Sequence, residues 1–319
     1  MVNPDAGSHA LHRLYGLTLM SPAPIGPPAA AGAAIDWTID WSEPPADLTV
    51  APPGRAIVTE GVWPAVRDGD LVTLWHEELG RVMIDLQSRR IALALTIRTD
   101  EVATLVLRGV VLSLVLELTG VPTLHANGVI VGNRVVAVAG SRGIGKTTVT
   151  AALCAAGIAL MSDDVLAVVR SDDGGWAARS GLTQLRLRPD AAHLAELIGE
   201  RHPQRSSVDG RHVVVLPAPA SEVLALGAIV VPRIDREGGG APRLVPITGP
   251  EAFAHLATAF RVVTFVDAEM LVARLGVTAA LTREVPVLAL SMPVKAQWTA
   301  ADADELRHVF DTCFGGGEP

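Results

Sequence analysis

The stretch Gly140, Ser141, Arg142, Gly143, Ile144, Gly145, Lys146 and Thr147 satisfies G-x-x-x-x-G-K-[ST] at every fixed position, a spacing suited to holding polyphosphate. Glycines let backbone N–H groups turn inward, and a helix starting behind them adds the positive end of its dipole. Lys146 then reaches the outer phosphates, while Thr147, followed by Thr148, offers a hydroxyl to magnesium. Two acids, Asp163 and Asp164, come after the short apolar run 158–161, where such proteins place the magnesium-binding carboxylate. Adjacent residues of an extended chain point to opposite faces, so the pair can divide two jobs, one addressing metal and the other the acceptor. Their types alone leave open which does which.

These groups need elements to position them. Val135–Val138 form an apolar strand before the loop, and 145–156 have helical spacing closed by Gly157. Gly132 and Asn133 make a two-residue hairpin turn, which pairs 127–131 with 134–139 antiparallel. Counting outward from this turn places His125 opposite Gly140, at the mouth of the loop. Segments 165–170 and 176–179 predict a second hairpin around the 172–175 turn. Arg186 and Arg188 share one face at strand spacing and can neutralise phosphate, grip an acidic acceptor or line a solvated edge. The polar segment 202–212 predicts a mobile lid or acceptor-binding loop. Further on, 225–234 and 285–290 read as strands, 248–260 and 267–275 as helices, and Thr299 caps a last helix.

Residues 1–100 predict a separate β-rich domain for recognition or support, with Ile35, Trp37, Ile39 and Trp41 on one face of a strand and further strands near 71–76, 81–86 and 87–98. Its tryptophans read as core or interface residues. Residues 101–319 then form the catalytic domain, opening with a buried helix over 102–119. With 319 residues and 49% hydrophobic content the chain can bury a large core. Net charge −8 and scarce aromatic residues argue against nucleic acid as a partner. The apolar run 102–118 carries Arg108 and Glu117, which argues against a membrane span, and the N-terminus lacks the order of a signal peptide, so the expected location is the cytoplasm. Cys154 and Cys313 have neither metal-ligand nor disulfide spacing.

The histidine-bearing hairpin LHANGVIVGNRVVAVAG, the loop GSRGIGKT and the double acid in AAGIALMSDDVLAVV, with LTQLRLRPDAAHL and LGAIVV more loosely, resemble the HPr kinase/phosphorylase superfamily over roughly residues 121–300. The resemblance implies an α/β fold with a P-loop kinase core of the HPr kinase type, a mixed sheet flanked by helices. It implies transfer of the γ-phosphoryl group of ATP to a serine hydroxyl with Mg²⁺. Under it Lys146 and the loop 140–148 hold the triphosphate, Thr147 and Asp164 hold magnesium, and Asp163 takes the hydroxyl proton. His125 orients Asp163 or the incoming oxygen. The β-rich N-terminal region is unlike the regulatory domain of HPr kinase proper, and the layout is similar to stand-alone relatives that act on ribosomally made peptides, lasso-peptide precursors among them. The expected partner is therefore a peptide or small protein, and family analogy adds a homo-oligomer. Two other readings stand beside this one: a nucleotide-dependent regulatory or scaffold protein, and a small-molecule kinase. The double acid favours a kinase over a switch, because a switch needs no base for an organic hydroxyl.

Overall fold

The computed structural model describes residues 9–59, 62–141, 143–199, 202–235, 240–262, 265, 267–293, 295 and 297–315. The chain divides into two compact units, 1–120 with 262–273 and 121–261 with 274–319. The division thus falls after Gly120, whereas the composition placed a boundary near residue 100.

In the first unit eight described strands form one sheet: β1 (Ala10–Leu14), β2 (Leu17–Ser21), β3 (Trp37–Trp41), β4 (Arg55–Val58), β5 (Ala65–Asp68), β6 (Leu71–His76), β7 (Gly80–Asp85) and β8 (Arg90–Leu95). Their order is β1-β2-β3-β8-β7-β6-β5-β4, with β3 parallel to both neighbours and the other pairs antiparallel. Alternation buries Val82 and Ile84 of β7 on one face. Trp37 and Ile39 are buried, but Ile35 precedes the strand and is exposed, so the apolar stripe is shorter than its pattern predicts. The expected buried helix is present as α1 (Asp100–Val106), a π-helical stretch Leu107–Val111 and α2 (Leu112–Leu118). Thr99 caps it, and Arg108 donates to the Ile25 carbonyl at 3.0 Å, tying the helix into this unit rather than the second.

The second unit is a mixed α/β structure. It contains β9 (Thr123–Leu124), β10 (Ala126–Val131), β11 (Arg134–Ala139), α3 (Lys146–Ala155), β12 (Ala159–Ser162), β13 (Leu166–Arg170), β14 (Trp176–Arg179), β15 (Gln184–Leu187), α4 (Ala192–Gly199), β16 (Gln204–Ser206), β17 (His212–Val215) and β18 (Val223–Asp235). Then follow β19 (Arg243–Ile247), α5 (Gly249–Ala257), the part of α6 (Ala268–Glu284) from residue 274 on, β20 (Val287–Pro293) and α7 (Ala300–Phe314). The main sheet runs β12-β10-β11-β18-β14-β13-β9, and β20 joins β18 while pairing with β19. Strand β11 is apolar without alternation because both faces are covered. Val136 and Val138 pack into a core with α3, α4 and α7, while Val135, Ala137 and Ala139 pack into another with α5 and part of α6. A small sheet, β15-β17-β16, joins the first of these cores through Leu185, Leu187 and Val214. Segment 202–212, expected as a lid loop, thus contributes strand β16 and the hairpin turn into β17, because Val213 and Val214 supply an apolar anchor. Among the described residues no helix is long and apolar enough to cross a membrane. Both cysteines are free.

Candidate active site

The register of β10 and β11 runs from Val131↔Arg134 to Ala126↔Ala139, as counted from the turn. Gly132 has a positive φ of 61°, whereas Asn133 is not among the residues with positive φ, the pattern of a II′ turn. Strand β11 then delivers the loop. Gly140, Gly143 and Gly145 adopt φ of 138°, 86° and 101°, conformations open to glycine and strained for other residues. At Gly140 a Cβ would also lie 3.2 Å from Cγ2 of Ile144. Gly145 is the N-cap of α3 and has no side chain to offer, so the first-turn N–H groups, which lack partners within any helix, remain available at the loop. Ser141 is exposed and Thr147 and Thr148 are half-buried, while Arg142 lies outside the described residues.

Lys146 is buried and curls over its own loop, its Nζ donating to the carbonyls of Gly140 at 2.8 Å and Ser141 at 3.1 Å. Burial lowers its pKa to about 8, against the opposing pull of the Asp164 and Asp163 carboxylates.

Strand β12 lies at the sheet edge beside β10, with Gly128↔Ser162, and a bulge follows Gly128. The chain then turns sharply. Val165 N–H donates to the Asp163 carbonyl at 2.7 Å, enclosing Asp164, whose φ of 64° is uncommon for a residue with a side chain. Asn127 secures this turn from β10: its Oδ1 accepts from Asp164 N–H at 2.9 Å and its Nδ2 donates to Thr150 on α3 at 3.1 Å. One buried amide therefore connects the hairpin, the acid turn and the loop helix.

The two acids face different surroundings. Asp163 is 7% exposed, and burial, reinforced by the charge of Asp164, pushes its pKa up to about 8; the Arg186 backbone N–H and the Arg186 and Arg211 guanidinium groups oppose the rise. The Asp164 side chain is 46% exposed. Burial of its surroundings acts to raise its pKa but is outweighed by the hydrogen bond from His125, the charges of Arg261 and His125, and Lys146, which together hold it well below the usual carboxylate range.

His125 Nδ1 lies 3.2 Å from both the backbone carbonyl oxygen and the Oδ1 of Asp164. The ladder does not continue to a His125–Gly140 pair. Leu124 pairs instead with Leu166 of β13, and His125 N–H donates to Ala259 at 2.7 Å. The side chain consequently serves Asp164, where the sequence directed it to Asp163 or the acceptor oxygen. Arg261, unmarked in the sequence, completes the group. A bridge between Leu124 and Phe260 brings its segment alongside, its N–H donates to Thr123 at 2.8 Å, and its guanidinium lies 3.1 Å from Asp164 Oδ2.

Among the described residues no three His, Cys, Asp or Glu side chains gather as a metal cage. Magnesium needs no such cage, since it binds through one or two carboxylates plus water and substrate phosphates. The hydroxyl of Thr147 and the ionised Asp164 are hard oxygen donors of that kind.

No family model and no curated protein sequence matches the chain. Among solved structures, the Hpr(Ser) kinase/phosphatase from Coxiella burnetii aligns over 60% of this chain and 95% of its own, with 12% identity and a TM-score of 0.31.

Proposed function

We propose that the chain is an ATP-dependent phosphotransferase that moves the γ-phosphoryl group to a serine hydroxyl of a peptide or small protein. The observation that carries this reading is the meeting, around one glycine loop, of a buried lysine with two adjacent carboxyls of opposite character, one held ionised and one whose pKa burial raises to about 8. A phosphoryl transfer needs those groups. Lys146 exchanges its loop carbonyls for the outer phosphates, and the N–H groups of the loop and of the first turn of α3 line the triphosphate. Asp164, steadied by His125 and Arg261, and Thr147 would hold magnesium, which supplies charge neutralisation at the phosphates. Asp163 takes the proton of the serine hydroxyl as its oxygen bonds to the γ-phosphorus. The bond to the bridging oxygen breaks, and ADP leaves with the electron pair. A carboxyl with a pKa near 8 is a better base than an ordinary one, once ionised.

The test incubates the purified protein with γ-labelled ATP, Mg²⁺ and a library of serine peptides. Label on serine is expected from the parent, reduced by roughly 10²-fold or more in Lys146→Ala. An unimpaired Lys146→Ala protein would remove the loop from the chemistry. ATP binding without transfer to any peptide, protein or metabolite would favour the regulatory reading.

A further inference from the structure

Away from the loop, the small sheet carries a second ionic cluster. The β16–β17 turn is closed by Ser207 N–H donating to Arg211 and Gly210 N–H donating to Ser207, both at 2.9 Å, and its tip presents Asp209. Arg186 reaches this tip from β15, contacting Asp209 at 2.7 Å and the Ser207 hydroxyl at 3.1 Å. Ser207 in turn donates to Asp209 at 2.7 Å, and Arg211 Nε lies 3.3 Å from the same carboxylate. Two guanidinium groups thus converge on one carboxylate. The side chains remain 23%, 37% and 41% exposed for Arg186, Arg211 and Asp209, so a ligand can reach them.

Arg186 belongs to both centres. Its charge, with that of Arg211, acts on the Asp163 carboxyl, and Asp163 N–H donates at 2.8 Å to Leu182, just ahead of β15, while the Arg186 side chain holds Asp209. An anion gripped here would lie within the reach of one residue from the proposed base. Arginine's planar fork matches carboxylates in two-point contacts, and part-exposed ion pairs contribute little to stability, which leaves the convergence better explained by recognition.

We propose that Arg186 and Arg211 form a subsite for an acidic side chain, Asp or Glu, flanking the acceptor serine, and that Asp209 is its resting occupant, displaced when the acceptor binds. This rests on the kinase reading above. Asp209 then acts as an internal competitor, and removing its charge should favour acidic acceptors.

The probes are a fluorescein-labelled heptapeptide with a central serine flanked by Glu and its Gln counterpart, offered to the full chain with Mg²⁺-ATP. Transfer and binding, the latter by fluorescence anisotropy, are both measured. The parent should prefer the Glu peptide about 10-fold or more, the scale of one charge-assisted contact. Asp209→Asn, which keeps the turn's shape, should widen that preference several-fold, Arg211→Gln should bring it close to one, and Arg211→Lys should retain part of it. Transfer to both peptides at equal efficiency would overturn the subsite and leave the kinase reading standing. Arg211-dependent binding of the Glu peptide, with no transfer to it or to any member of the serine library, would keep an acidic-peptide site and sink the kinase reading. Absence of both transfer and Arg211-dependent binding would overturn the subsite.

Discussion

Burial keeps the Asp163 carboxyl protonated in the resting protein up to about pH 8, so its ionisation sets the acid side of any reaction that uses it as a base. On the alkaline side Lys146 loses its proton, also near 8. The profile of kcat/KM for phosphoryl transfer should therefore be a bell, falling on the acid side as Asp163 takes up its proton and on the alkaline side as Lys146 loses its own. Asp163→Asn should lower transfer by about 10²–10⁴, abolish the acid limb and leave ATP affinity by calorimetry near that of the parent. A variant that kept the limb would assign it to another group. Asp164→Asn should weaken magnesium-dependent nucleotide binding as well. The glycine loop and the double acid can be marked in the sequence because they rest on local spacing, whereas the partner of His125 cannot, since its ladder breaks before Gly140. Nor can Arg261, since its approach to Asp164 depends on the bridge between Leu124 and Phe260, a contact between segments far apart in the chain. Asn127 stood inside a recognised strand, yet its link to Thr150 emerges only once α3 packs against β10.

The hairpin β10–β11 does more than present the loop. Gly128 marks the bulge where β12 shifts register, and a Cβ there would lie 2.8 Å from Cδ1 of Leu166 and 3.2 Å from Cβ of Met161. Its neighbour Asn127 holds the acid turn, so crowding at this position is transmitted to Asp164. Gly128→Val should destabilise the protein by about 1–3 kcal/mol in urea unfolding, by overpacking. An unchanged midpoint would show that Leu166 and Met161 relax freely. Turn chemistry and apolar runs made β10, β11, β13, β14, β18 and α3 readable in advance. Strands β1 and β2 were not, because LHRL and LTLM are short and flanked by no strong turn dipeptide beyond Tyr15-Gly16. Segment 202–212 read as a loop on its polarity, but pairing of Gln204–Ser206 with β17 satisfies its backbone while those side chains stay exposed.

At the scale of the molecule, each unit has its own main sheet, the first unit β-rich and the second mixed with helices. The apolar helix 100–118 carries no sign in its sequence of which sheet it will cover. The longest strand has the widest reach. One edge of β18 pairs with β11 through Ala225–Val230, while the other is shared by β14 at Val223–Ala225 and β20 at Ile229–Asp235. None of those partners can leave without stripping hydrogen bonds from the same strand, so the main sheet should open as one cooperative block. The β15-β17-β16 sheet has a ladder of its own. In native-state hydrogen exchange, the amides of Ala228–Val231 should be the slowest in the second unit and share its global unfolding free energy, whereas those of β16 and β17 should exchange through a smaller opening. Equal protection in both sheets would refute this separation. If it holds, the segment carrying Arg186, Arg211 and Asp209 can breathe on a faster clock than the loop that holds Lys146, and the proposed acceptor could come and go without the proposed nucleotide cradle ever unfolding.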